Sequence, residues 1–183
     1  RRNDWCLSDG REDMMERSLV LFYSWSGHTR RAARRIAERT GADLAELRVE
    51  TDYPGDYQST LNRARREIEE KLRPRLCPLA LDWDRYETVF LGTPNWYGTV
   101  APPVFSFLHQ VMPFDKNIVP FCTHGGGGAG RIAQEIARYC IGCDMLPMLA
   151  LRDGSTASLD ESIGPWLKRV ELIVDLLTSE RPG

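Results

Sequence analysis

Five residues capable of holding an anion, Ser24, Ser26, Gly27, His28 and Thr29, stand between an apolar run at 19–22 and a stretch with helical periodicity. Small hydroxyls around a glycine at the start of a helix suit a phosphate. The first N–H groups of a helix have no partner within it, its dipole favours an anion, and the hydroxyls add donors. Each hydrogen bond to a charged oxygen contributes roughly 1.5–3 kcal/mol. The same residues also suit a helix cap built on Ser26 or His28, and residue type alone leaves both roles open. A second stretch, Pro94-Asn95-Trp96-Tyr97-Gly98, puts two adjacent aromatics between a proline and a glycine. Neighbouring side chains on extended backbone point opposite ways, so at most one of Trp96 and Tyr97 faces a given ligand plane. On their own they read as cover for the end of a sheet. In the third stretch Thr123 and His124 lead into Gly125, Gly126, Gly127 and Gly128. Consecutive glycines lose backbone entropy on folding, and close approach of main chain to a flat ligand accounts for them better than a linker does. His124 there reads equally as a ligand contact or a surface turn.

Alternating strands and helices must carry these loops. Residues 19–22 form a continuous apolar run, as in a strand covered on both faces. The run 30–40 places Ala33, Ile36 and Ala37 on one face and arginines on the other, and Gly41 closes it. A second strand is expected over 42–49. Tyr57, Leu61, Ala64, Ile68 and Leu72 then recur at helical spacing, with Asp56 as N-cap and Pro74 as the stop. A third strand is expected at 89–91, with residues 92–103 as a loop and a helix over 104–111. The fourth strand, 118–122, contains Pro120, which is unwelcome in a central strand. A helix through Ile132, Ile136 and Tyr139, a fifth strand at 145–151 and a last helix starting near Pro165 complete the pattern. Strands alternating with helices make an α/β fold with a parallel sheet. Ligands of such sheets bind beyond the carboxyl ends of the strands, where the strand order reverses. The three unusual loops follow the first, third and fourth strands.

The chain of 183 residues has room for one domain, expected at 18–183 behind a polar arm at 1–17. Its net charge of −2 removes the main argument for a nucleic-acid partner. No apolar run approaches the roughly 20 residues of a membrane span. Five scattered cysteines favour a reducing, cytoplasmic setting, with a removed export signal the alternative. Cys140 and Cys143 form a C-x-x-C at the end of a helix, where no dipole lowers a thiol pKa, so they read as structural thiols. Two further ligands for a metal are not at hand, and no metal is expected.

The order Ser24-x-Ser26-Gly27-x-Thr29 after an apolar strand resembles the phosphate loop of flavodoxins, with His28 where that loop often has asparagine. The resemblance is to the short-chain flavodoxin-like family and covers nearly all of residues 18–183. It extends to Tyr53-Pro54-x-Asp56-Tyr57, and Arg152-Asp153-Gly154 leads to the last helix without a long insertion. It implies a three-layer, doubly wound, five-stranded parallel sheet of order 2-1-3-4-5 and an FMN cofactor. Residues 24–29 would hold the phosphate. Pro94, Asn95, Trp96, Tyr97 and Gly98 would place backbone amides and one aromatic ring against the isoalloxazine. Thr123, His124, Gly125 and Gly126 would meet its other edge. The implied function is electron transfer, in which the protein supplies no acid, base or nucleophile but holds and tunes the flavin. Its partner would be a redox protein or a small quinone-like acceptor. An FMN-dependent NAD(P)H:quinone-type oxidoreductase would use the same site. Carriers of this family tend to be strongly acidic, and the near-neutral charge keeps the oxidoreductase in play. A non-enzymatic module is the third class.

Overall fold

In the computed structural model, residues 17–154 and 156–180 are described; the expected arm, apart from Arg17, and Cys6 lie outside them. The chain runs β1 (Ser18–Phe22), α1 (His28–Thr40), β2 (Asp43–Glu46), α2 (Tyr57–Glu69), a 3₁₀ turn (Trp83–Arg85), β3 (Thr88–Trp96) and β4 (Thr99–Val100). It continues through α3 (Pro102–Val111), β5 (Asn117–His124), α4 (Ile132–Tyr139), β6 (Asp144–Met145), β7 (Leu149–Arg152) and α5 (Thr156–Glu180). The parallel sheet has the order β2-β1-β3-β5, and β6 and β7 share the fifth position beside β5. This is the doubly wound order expected from the sequence.

The unbroken apolar run of β1 follows from burial on both faces. Leu19, Leu21 and Tyr23 join a core that also takes in Ala64 of α2, Val104 and Leu108 of α3, and Ile136 of α4. Val20 and Phe22 face the other way, into a core with Ala33 and Ile36 of α1 and Leu159, Ile163 and Val170 of α5. Fully burying each large apolar side chain stabilises by roughly 1.5–3 kcal/mol.

Four expectations need correction. The second strand is shorter, Asp43–Glu46, because after a last bond from Leu47 N to Phe22 O the chain leaves β1 and residues 48–50 pair with 75–77 instead. The third strand does not stop at Leu91 but runs to Trp96, since β4 folds back on it in an antiparallel hairpin. The fifth strand is split, with residues 146–148 between its two pieces. That gap explains Pro120. Ile118 O accepts from Leu146 N, and alternate residues of a strand address the same neighbour, so the N–H that Pro120 lacks would have pointed into the gap. Finally, α5 begins at Thr156 and Pro165 lies inside it. An internal proline costs about 3 kcal/mol, but burial of Leu159 and Ile163 one turn ahead, at roughly 1.5–3 kcal/mol each, offsets it.

The helix ends follow local chemistry. α1 stops where Gly41 takes φ 71° and its N–H bonds Ala37 O at 2.8 Å. Asp56 caps α2 as expected, its Oδ1 accepting from Ser59 N at 2.8 Å. The buried face of α2 is Thr60, Ala64 and Glu67. Tyr57 and Leu72, expected on an apolar stripe, are 66% and 42% exposed. The helix can turn a glutamate inward because Tyr53 OH and Arg63 Nε both donate to Glu67. Among the described residues no helix is long and apolar enough to cross a membrane.

The α1–α5 contact carries a bidentate pair, with Arg35 Nε and NH2 donating to Asp160 Oδ1 and Oδ2 at 2.5 and 2.8 Å. These bonds hold the Asp160 carboxyl below its usual value. Its stabilisation is therefore present above the ordinary carboxylate pKa of about 3.9 and is lost as the pH falls through the lower folded value. Asp160→Asn should be less stable than wild type at pH 7, with the difference closing as the pH falls through the lowered folded value. Urea unfolding of both proteins across pH 2.5–7 checks this, and a gap that stays constant would refute the linkage.

Candidate functional site

Because β1, β3 and β5 are adjacent and parallel, the loops after them emerge side by side at one end of the sheet. After β1, Ser24 is buried and its Oγ accepts from Gly27 N at 3.1 Å, which leaves its own proton free to donate outward. Gly27 takes φ 93° at the mouth of α1, a conformation that favours glycine. The side chain of Ser26 is exposed, and no acidic residue occupies the first turn of α1. His28 Nδ1 lies 3.1 Å from Arg31 NH2 and 3.7 Å from Asp153 Oδ1. No side-chain bond caps the helix. Of the two roles left open by the sequence, capping is thus unused at this helix. What remains is a nest of N–H and O–H donors suited to a phosphate.

Thr29 behaves differently. It is 2% exposed, and its hydroxyl lies 2.8 Å from that of Thr123 at the end of β5. The pair ties the first loop to the third across the sheet. Trp25 leans outward, its Nε1 donating to Pro54 O at 3.3 Å and its ring 6.2 Å from Tyr57. The segment leading into α2 therefore also borders the site.

The aromatic loop after β3 is a two-residue hairpin turn. Tyr97 and Gly98 have φ 57° and 75°, the left-handed pair that joins β3 to β4. Asn95 drives it, with Oδ1 accepting from Gly98 N at 2.8 Å and Nδ2 donating to Gly128 O at 2.6 Å. Gly130 packs against this turn so closely that a Cβ would overlap the Gly98 carbonyl, which accepts from Arg131 N at 2.7 Å. The two aromatics go opposite ways. Trp96 is 8% exposed and meets Tyr53 and Tyr23 edge-on at 5.1 and 5.9 Å. Tyr97 is 44% exposed; its hydroxyl donates to Leu61 O at 3.1 Å, and Arg65 lies 5.0 Å over its ring. Burial pushes the Tyr23 hydroxyl well above its ordinary pKa.

In the glycine loop, Gly126 N donates to His124 Nδ1 at 3.1 Å, and Gly125 to Gly127 are exposed. His124 O accepts from Asp153 N at 2.9 Å. Beneath the loop, burial raises the Cys122 thiol to about 12, so it is an inert apolar neighbour and not a nucleophile. Cys140 is likewise pushed up to about 12 by burial and by Cys143.

The structure thus brings the three predicted segments to one end of the sheet, and it adds residues that spacing does not reveal. Asp153, Gly130 and Tyr53, which lie in segments the sequence singles out without assigning them to the site, and Leu61, which carries no local signal, join it through long-range contacts. The double bonding of Asn95 had one available sign, an asparagine three residues before a glycine.

A family model described as flavodoxin matches residues 17–169. The chain belongs to the flavodoxin family. Among solved structures, the FMN complex of a flavoprotein from Lactobacillus acidophilus is 24% identical and superposes with a TM-score of 0.66, over 83% of this chain and 99% of that one. The apo-form of the flavoprotein from the same organism is 25% identical with a TM-score of 0.59, over 78% and 95% of the two chains. A WrbA-like flavodoxin from Agrobacterium tumefaciens is 16% identical with a TM-score of 0.57, over 85% and 95%.

Asn95 joins two backbone segments with two bonds worth about 0.5–1.5 kcal/mol each. Asn95→Ala should lower stability by about 1–3 kcal/mol and speed amide exchange at Gly98 and Arg131 far more than within β1. Denaturant unfolding with residue-resolved hydrogen exchange checks both, and unchanged exchange at Gly98 would show that the turn does not need the clasp.

Proposed function

We propose that this protein is an electron carrier that works through FMN held by the three loops. One observation carries the reading: a donor-rich nest at the start of α1 and a glycine-rich strip after β5 are locked to each other by Thr29 and Thr123 at 2.8 Å. The donor set fits the cofactor. The N–H groups of the first turn of α1, with Ser24, Ser26 and His28, suit a phosphate dianion, and no acidic residue lies in that turn, while the Asp153 carboxylate stands 3.7 Å from His28 Nδ1. The exposed backbone at Gly125 and Gly127, on either side of the Gly126 amide bonded to His124, suits the polar edge of a flat ring, and Pro94 to Gly98 supply the opposite wall. Bound FMN supplies the redox chemistry. The chain's own residues bind it, orient it, and adjust its potential through hydrogen bonds and contact with an aromatic face.

Of the two aromatics, Tyr97 borders the ring and Trp96 supports it from the core. The exposure of Tyr97 and its anchorage on Leu61 favour this division, as does the burial of Trp96 against Tyr53. The near-neutral charge of −2 and the likeness to a WrbA-like flavodoxin favour a second reading, an FMN-dependent NAD(P)H:quinone-type oxidoreductase. Its acceptor would be a small quinone in place of a protein.

Fluorescence titration should show FMN binding far more tightly than riboflavin, because the phosphate contacts are worth roughly 1.5–3 kcal/mol each. The loaded protein should oxidise NADPH negligibly by itself yet take electrons from a separate reductase. Equal affinity for the two flavins overturns the phosphate assignment, and steady turnover of NADPH and quinone without a reductase replaces the carrier with the oxidoreductase.

Tyr97→Ala should weaken binding of oxidised FMN about tenfold, near the roughly 1.4 kcal/mol at the upper range of an aromatic contact. It should also raise the midpoint potential, since an aromatic face disfavours the electron-rich reduced ring. Trp96→Ala should act first on folding, by about 3–5 kcal/mol. Titration, potentiometry and urea unfolding of the pair separate the roles, and a reversed pattern would assign Trp96 to the ring.

A further inference from the structure

Outside the loop site, four cations line a groove of about 490 Å³ between α2, α3 and α4. Lys71 and Arg73, just past the end of α2, form one wall, and Arg131 and Arg138 of the α4 segment form the other. Phe105 and Tyr139 lie between them, rings 5.9 Å apart and edge-on, each partly buried. Two carboxylates also line the groove, but both are already committed. Glu67 accepts from Tyr53 and Arg63 and is 7% exposed. Glu135 accepts from Thr99 Oγ1 and Val100 N, is 14% exposed, and lies 3.7 Å from Arg131. Glu69 and Glu70, next to Lys71 in sequence, do not line it.

Lys71, Arg73 and Arg138 have no carboxylate partner among the described residues, so with Arg131 four cations meet two already bonded carboxylates and the concavity keeps an excess of positive charge. Such an arrangement raises the local concentration of anions. The volume falls in the range of small-molecule sites, and flat aromatic walls between arginines suit a ring carrying an anionic group. Cations on both walls favour a doubly charged group over a single carboxylate, and guanidinium forks match phosphate oxygens.

We propose that this groove is a binding site for a small aromatic phosphate, separate from the cofactor loops. The phosphate lies between the Arg73 and Arg138 walls and the ring rests against Phe105 and Tyr139. The groove shares Thr99 and Arg131 with the edge of the hairpin, so its occupant sits beside the redox site without entering it.

The test uses FMN-saturated protein, so that the phosphate loop is filled, and calorimetric titration with 1-naphthyl phosphate, 1-naphthoate, 1-naphthol and inorganic phosphate. Naphthyl phosphate should bind about tenfold or more tighter than each of the other three. The double variant Arg73→Ala with Arg138→Ala, both exposed side chains, should lose about tenfold or more of that affinity. A control, Arg66→Ala with Arg169→Ala, removes the same charge from exposed positions off the groove and should bind as wild type. Naphthoate binding as well as naphthyl phosphate, or naphthol binding as well as either, overturns the assignment. So does an equal loss in the control pair, which would mark a general charge effect. If the protein takes up no FMN, the same variants still decide the matter, because none of them lies in the three loops.

Discussion

The amide of Asn95 spans two backbone segments that share no ladder, the turn at Gly98 and the glycine strip at Gly128. Strands end where their hydrogen bonds end, so any site beyond the sheet must be held by something other than the sheet. Here a side-chain carbonyl accepts from one segment while the side-chain NH₂ donates to the other, and an amide offers the two functions on separate atoms of one short arm. The hydroxyl pair of Thr29 and Thr123 does the same work deeper down, between the first turn of α1 and β5. These two ties, with Arg131 N donating to the Gly98 carbonyl, join the three loops at this end of the sheet. The glycines then supply what side chains would obstruct, and at Gly130 a methyl group would strike the Gly98 carbonyl.

The hairpin is gripped from both flanks as well. Glu135 takes hydrogen bonds from Thr99 and Val100 on one side, and Tyr97 reaches Leu61 on the other. Below, Trp96 rests on the ring of Tyr53, whose hydroxyl is in turn bound to Glu67. Buried acids are costly unless fully bonded. Both glutamates meet that condition, and each contributes directionality that apolar packing lacks. A rigid turn is what a contact surface for a flat ring requires, since a loose one would lose on ordering much of what it gained on contact.

Much of this was legible in the sequence, for identifiable reasons. Alternate burial of 19, 21 and 23 against 20 and 22 forces a continuous apolar run, and short-range chemistry announces itself at Gly41 and Asp56. The loops stood out because hydroxyl, aromatic and glycine clusters are poor choices for stability. What escaped notice depends on partners distant in the chain. The loop chemistry of residues 92–103 hides the strand at Trp96, which exists only when β4 folds back, and the bond of Thr29 to Thr123 crosses 94 positions and leaves no local sign. Pro165 has the right local chemistry for a helix start, and it loses to the packing of Leu159 and Ile163. The face of α2 was misjudged because a glutamate counted as outward, and only Tyr53 and Arg63 make it an inward residue.

The break opposite Pro120 bears on how copies of this chain meet each other. An open sheet has two margins where unpaired amides can recruit a foreign strand and seed aggregation. One margin here is β6 and β7, pieces of two and four residues parted at Pro147. The other is β2, also four residues, whose Asp43 and Glu46 carry negative charge, Glu46 in a pair with Arg30 at 2.6 Å. Neither margin offers an intruder a long, neutral row of donors and acceptors. The irregularity that lets a proline sit in a central strand thus also makes the sheet a poor template for fibres.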